Sequence, residues 1–143
     1  MDCLVKTAKA VGVEKPKVAI IAATEQVLQS QPATIEAAML AKMVDRGQIK
    51  GCIADGPLAL DVAIDKESAD IKGLVSPVAG DADCLLFPNI ESGNVFFKSV
   101  SHLAGGEIAA IVMGAKVPCV LTSRGDSAAS KKYSIALACM MAK

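Results

Sequence analysis

Val18-Ala19-Ile20-Ile21-Ala22-Ala23 is an apolar run that follows Pro16 and carries no polar residue at alternate positions. An unbroken run of this length marks a strand buried on both faces, as in a parallel sheet with helices above and below it. Thr24 and Glu25 stand at its carboxyl end. Upstream, Leu4, Val5, Ala8 and Val11 recur at helical spacing around Lys6 and Lys9 and stop at Gly12. Downstream, Ile35, Ala38, Met39 and Met43 do the same before Gly47. A buried strand flanked by helices is therefore the unit from which the chain is predicted to be built.

The unit recurs towards the C-terminus. Residues 49–54 predict a second strand ended by Asp55-Gly56-Pro57, and Leu58, Ala59, Val62 and Ala63 a helix that runs through the charged stretch 65–70 to Gly73. Asp55 and Asp61 read as capping or solvated residues rather than ligand groups. Residues 75–83 form a loop, 84–87 a third strand, 107–113 a fourth strand behind Gly105-Gly106, and Cys119-Val120-Leu121 a last short strand. Phe96, Val100, Leu103 and Ala104 give one more helical stripe. Tyr133, Ala136, Leu137, Met140 and Met141 give another, with Asp126 as its expected cap. Strands alternating with helices predict an α/β fold, a three-layer α/β/α sandwich with a mainly parallel sheet.

Composition narrows the function. The 143 residues suffice for a core of their own, and with 52% apolar but only 3% aromatic residues that core is aliphatic. Formal net charge is zero and no basic-aromatic stripe occurs, which argues against a nucleic-acid partner. No apolar run approaches the roughly 20 residues of a membrane span, and residues 1–13 are too charged for a signal peptide, so a cytoplasmic protein without a membrane partner is expected. Cys3, Cys52, Cys84, Cys119 and Cys139 form no C-x-x-C pair and are expected to be reduced, buried small hydrophobes. The single His102 reads as a partly exposed structural residue, and no metal site is expected.

Two polar loops, each following an apolar strand, form the candidate site. In Pro88-Asn89-Ile90-Glu91-Ser92-Gly93-Asn94, Gly93 would let the backbone approach an anion, while Asn89, Ser92 and Asn94 offer donors near a helix start and Lys98 and Lys116 are supporting cations. In the second loop, Thr122-Ser123-Arg124-Gly125-Asp126, Arg124 can grip phosphate or carboxylate through two parallel hydrogen bonds, and Ser123 can donate to a developing oxyanion or orient a thiol. Neither a dinucleotide fingerprint nor a P-loop occurs. Serine hydrolysis is disfavoured, because Leu121 stands where a nucleophile elbow has its first glycine and His102 precedes the serine.

Several segments in order along the chain are similar to the phosphate acetyl/butyryltransferase family. They are Lys17-Val18-Ala19, Met43-Val44-Asp45-Arg46-Gly47-Gln48-Ile49-Lys50-Gly51, Asp55-Gly56-Pro57-Leu58-Ala59-Leu60-Asp61, the Pro88 to Asn94 loop with Lys98, and Leu121-Thr122-Ser123-Arg124 with Tyr133-Ser134-Ile135-Ala136. The chain most resembles the phosphate butyryltransferase branch. The resemblance implies reversible transfer of a butyryl or acetyl group, acyl-CoA plus phosphate giving acyl phosphate plus CoA, with CoA as substrate and no tightly bound cofactor. It implies no covalent acyl-enzyme, a transition-state serine at Ser123, an anion-holding arginine at Arg124, and substrate-binding positions at Asn89, Ser92, Gly93, Asn94, Lys98, Thr122, Gly125 and Ser130. Where the acetyl branch has an aspartate seven positions after the serine, this chain has Ser130, and Asp126 is the nearer carboxylate candidate.

The family resembles a two-domain protein with its site in the cleft between domains, and this chain matches the C-terminal part. Residues 1–117 are then an α/β domain lining one side of that cleft, and 118–143 a catalytic-loop strand and helix that pack on an N-terminal domain not in the chain. A homodimer is implied, as is weak or no activity of the isolated chain. The alternative is a non-catalytic CoA/phosphate-binding or dimerisation domain of the same fold. A metal-dependent decarboxylating dehydrogenase would need a carboxylate cluster that the sequence does not offer.

Overall fold

In the computed structural model, which describes residues 1–142, the Val18 run forms β1 (Lys17–Ile21), the central strand of a three-stranded sheet. Lys143, the end of the expected 118–143 segment, lies outside the described residues. β2 (Ile53–Leu58) and β3 (Cys84–Leu86) flank β1 in the order β2-β1-β3, both parallel to it, with Val18 opposite Ala54 on one side and Cys84 on the other. Six helices complete the described chain: α1 (Asp2–Ala10), α2 (Pro32–Asp45), α3 (Leu60–Ile64), α4 (Lys66–Ile71), α5 (Ile90–His102) and α6 (Ala128–Met141).

The alternation of side chains along β1 explains the three layers. Val18 and Ile20 pack with Val5 and Ala8 of α1 and Ala37 and Ala41 of α2, while Ala19 and Ile21 pack with Val62 and Ala63 of α3 and Ala69 of α4. Both faces of the strand are thus covered, as its unbroken hydrophobicity predicts.

Three details depart from the sequence reading. First, Asp55-Gly56-Pro57 lies inside β2 rather than after it. A Cβ at Gly56 would sit 2.7 Å from the Ile20 carbonyl oxygen, so this glycine admits the neighbouring strand where a turn was expected. Second, the predicted helix over 58–73 is broken at Asp65, whose carboxylate accepts the Ser68 N–H at 2.9 Å and caps α4. Third, 107–113 and 119–121 add no strand to the sheet. They meet in an isolated antiparallel bridge, where the Val112 N–H donates to the Cys119 carbonyl at 2.8 Å. Ile108, Ala110 and Ile111 instead line a groove with Leu4 of α1, Phe97 of α5 and Leu137 of α6. The apolar run is only half-buried to exposed beside these helices, and periodicity alone cannot tell such a segment from a buried strand.

Asp55 and Asp61 are engaged in the fold. The Asp55 carboxylate accepts the Gly56 N–H at 2.8 Å. Asp61 and Glu25 lie 3.1 and 3.3 Å from the Lys72 ammonium, and Glu25 also accepts the Ala59 N–H at 3.2 Å. The carboxyl end of β1 is thereby tied to α3 and α4. Of the cysteines, Cys52 and Cys84 are buried as expected, Cys119 is half-buried, and Cys3 and Cys139 are exposed, Cys3 on the open groove beside Ile108 and Leu137.

Candidate anion site at the α5 and α6 loops

The first loop is organised as a helix start. Asn89 is the N-cap of α5, its side-chain oxygen accepting the Ser92 N–H at 2.9 Å, and the Ser92 hydroxyl donates back to the Asn89 carbonyl at 3.1 Å. Both polar side chains are committed to the cap. Gly93 N–H also bonds the Asn89 carbonyl, at 3.2 Å, and a Cβ there would meet the Phe87 ring only at ordinary contact distance, so this position does not require glycine. Asn94 and Lys98, further along the helix, line an open cleft of about 320 Å³ with Val95, Ser99, His102 and Leu103. The Lys98 ammonium also sits 5.0 Å from the centre of the Phe97 ring.

The second loop closes on itself. Asp126 Oδ2 accepts the Ser123 N–H at 2.7 Å, and the Asp126 N–H donates to the Ser123 carbonyl at 3.1 Å. This double bond pattern fixes a tight turn with Arg124 and Gly125 at its tip, both exposed, and Thr122 half-buried before it. The cap of α6 is accordingly Ser127 and not Asp126. Its Oγ accepts the Ser130 N–H at 3.0 Å and lies 3.1 Å from the Ser130 hydroxyl. The carboxylate faces back into the turn, one residue short of the helix, so it closes the Ser123 loop instead of the first turn of α6.

The C-terminal segment is fastened to the body by α6. Ser134, almost wholly buried, accepts the Ala110 N–H at 3.0 Å and donates to the Ser130 carbonyl at 2.7 Å. At the preceding residue, a hydrogen bond with Glu107 pushes the Tyr133 phenol above its usual pKa. Ile108, held in this way, forms part of the wall of a smaller cleft of about 160 Å³ together with Gly125, Asp126, Ser127 and Ser130 from the second loop and Ser101 and His102 from α5.

The structure thus brings Gly125, Asp126 and Ser130 into one cleft and Asn94 and Lys98 into its neighbour. Asn89, Ser92 and Gly93 serve the α5 start instead. His102, which the sequence reading treats as structural, lines both clefts. A signal for it was present: Asn94, Lys98 and His102 are spaced four residues apart and share one helix face. Electrostatically, the α6 start carries no acidic residue in its first turn and follows Arg124, an arrangement that favours an anion. Among the described residues no group of three or more His, Cys, Asp or Glu side chains could hold a metal ion, and no helix is long and apolar enough to cross a membrane.

The family model for phosphate acetyl/butaryl transferase matches residues 2–139. The chain belongs to this family. It is 52% identical over 138 residues to the phosphate butyryltransferase of Clostridium acetobutylicum, which covers 96% of this chain and 46% of the relative. It is 51% identical over 138 residues to the phosphate acetyltransferase of Thermotoga maritima, covering 96% of this chain and 47% of that one. Among solved structures, a branched-chain phosphotransacylase from Enterococcus faecalis superposes with a TM-score of 0.86 at 32% identity, over 96% of this chain and 49% of the neighbour. The chain spans about half the length of the curated relatives it matches.

Proposed function

We propose that the chain is the C-terminal part of a phosphate acyltransferase that interconverts acyl-CoA plus phosphate and acyl phosphate plus CoA, with butyryl or acetyl as the acyl group. The observation that carries this reading is the turn that holds Ser123 and Arg124 at the start of α6, within a chain that matches the family model from residue 2 to residue 139. Arg124 and the positive end of α6 hold the phosphate. The Ser123 hydroxyl donates to the oxygen that gains charge as the carbonyl becomes tetrahedral. Asp126 fixes the turn through the Ser123 amide, and Thr122, Gly125, Ser130, Asn94 and Lys98 border the substrates. Catalysis of this kind is positioning and electrostatics, without an acyl-enzyme.

Residues 1–117 then line one side of the cleft, and the segment from 118 onwards, with α6, packs on an N-terminal domain that completes it. The reading extends to a homodimer in the cytoplasm. A second reading, a CoA- or phosphate-binding or dimerisation domain without turnover, is favoured by the exposure of Leu103, Leu121 and Ile135 around the same loops. Thiol release from butyryl-CoA with phosphate or arsenate, measured for the chain alone and with the N-terminal domain of the Clostridium relative added, separates the two. Release that disappears in Ser123→Ala supports the acyltransferase, and no release in either preparation sinks it.

A further inference from the structure

We propose that His102 moves the thiol proton in this acyl transfer, a role that rests on the acyltransferase reading above. His102 ends α5 at the point where the two clefts adjoin: on one side it shares walls with Asn94 and Lys98, on the other with Gly125, Asp126, Ser127 and Ser130. It is the one residue common to the cleft formed along α5 and the cleft formed by the Ser123 loop and the α6 start.

The other proton-accepting groups of the smaller cleft already have partners. Asp126 Oδ2 holds the Ser123 amide at 2.7 Å, and the Ser127 and Ser130 hydroxyls are bonded to each other and to the cap. A serine hydroxyl is in any case no base near neutrality, whereas an imidazole gains and loses its proton in the range of pH 5 to 8. Two charged residues share these clefts with His102, Asp126 in the smaller one, its carboxylate turned onto the Ser123 amide, and Lys98 one turn back on α5, its ammonium 5.0 Å from the Phe97 ring centre. The positive charge acquired with the proton falls at the carbonyl end of α5, where the helix dipole favours a cation.

The step balances without a further reactant. In the direction of thioester formation, the imidazole takes the S–H proton of CoA, and the sulfur electron pair forms the C–S bond to the acyl carbon. The bond between the acyl carbon and the bridging oxygen breaks, the O–P bond stays intact, and phosphate leaves with that electron pair beside Arg124. In reverse, a phosphate oxygen attacks the thioester and the departing thiolate recovers the proton from the imidazolium.

His102 is the chain's single histidine, so its imidazole resonances identify themselves in the proton NMR spectrum. The first test titrates the full chain from about pH 5 to 8 alone, with CoA, and with desulfo-CoA, which lacks the thiol. CoA is expected to displace the imidazole titration midpoint and desulfo-CoA to leave it in place; an equal response to both, or to neither, overturns the proposal. The second test measures thiol release from butyryl-CoA by whichever preparation turns over. In this direction His102 acts as the acid, so His102→Gln is expected to lower kcat by about 10²–10⁴-fold, with little change in KM and loss of the alkaline limb of the pH profile, and added imidazole to restore part of the rate. Unchanged kcat and pH profile in this variant overturn the role of His102 alone. No turnover in the unsubstituted protein overturns the acyltransferase reading and this role with it. His102 is exposed, so the variant is expected to keep the far-ultraviolet circular dichroism of the parent.

Discussion

Replacing Ser134 by alanine removes one hydroxyl from the inner face of α6. Ser134 is 1% exposed, and its hydroxyl is the acceptor for the Ala110 N–H at 3.0 Å, while its own proton goes to the Ser130 carbonyl at 2.7 Å. The carbonyl loses little, because it remains an ordinary helical acceptor. The Ala110 amide loses the partner that pins 107–113 under α6, and an amide left without a partner in a part-buried site costs about 1–3 kcal/mol. At about 2–4 °C per kcal/mol for a chain of this size, Tm should fall by about 2–12 °C. The loss is local, so exchange of the Ala110 amide should accelerate by about 5- to 150-fold, the same free energy expressed as an opening constant. Ile135→Ala, on the exposed side of the same helix, is the control and should stay within about 0.5 kcal/mol. Differential scanning calorimetry and amide exchange read both quantities. If Ala110 exchanges no faster in Ser134→Ala than in Ile135→Ala, α6 does not clamp this segment through Ser134.

Gly80 has φ +74° and its Cβ would fall 2.6 Å from the Lys66 Cα, whereas Gly73, at φ +64°, faces open space. Alanine at Gly73 should therefore cost only the about 1–2 kcal/mol of a left-handed residue, and alanine at Gly80 clearly more; equal urea midpoints would refute the close approach. Acid should unfold the protein through carboxylates held below their usual pKa: Asp61 by Lys72, Asp65 by the Ser68 hydroxyl and amide, Asp81 by Lys17. Depressed folded values mean stability that is complete above the unfolded carboxylate pKa of about 3.9 and lost as pH falls through the folded values, so Tm should be level above about pH 5 and drop below about pH 4. Asp65→Asn keeps a capping side chain but should flatten that drop, and an unaltered acid limb counts against the assignment. With iodoacetamide at mildly alkaline pH, exposed Cys3 and Cys139 should be labelled in the folded chain. Cys52 and Cys84, whose thiols burial pushes up in pKa, should be labelled only after unfolding; mass spectrometry distinguishes the two sets.

How much of this was legible in the sequence depends on the distance over which each signal acts. The Val18 run announced burial on both faces, and β1 at the centre of the sheet delivers it, because continuous hydrophobicity reports the environment of the strand itself. The same signal over 107–113 announced a buried strand that the structure does not show: the run is half-buried to exposed, and Ile108, Ala110 and Ile111 border an open groove beside α1, α5 and α6. Gly56 was misplaced for a related reason. A glycine that ends a strand and one that admits the adjacent strand look alike until Ile20 is known to lie against it.

At the site, residue types were legible and their hydrogen bonds were not. Ser123 and Arg124 stand at a helix start as their chemistry suggested, but the choice between Asp126 and Ser127 as the cap turns on where the helix begins to within one residue. That single residue changes what Asp126 does, from neutralising the positive end of α6 to fixing the turn that carries Arg124. The change favours anion binding, since the α6 start keeps its field while the carboxylate is bonded to an amide. Ser123 and Arg124 remain exposed, and a charged contact in water is worth a small fraction of the same contact away from water. On the proposed function, anything that covers this loop therefore strengthens the hold of Arg124 on phosphate without altering any residue of the loop.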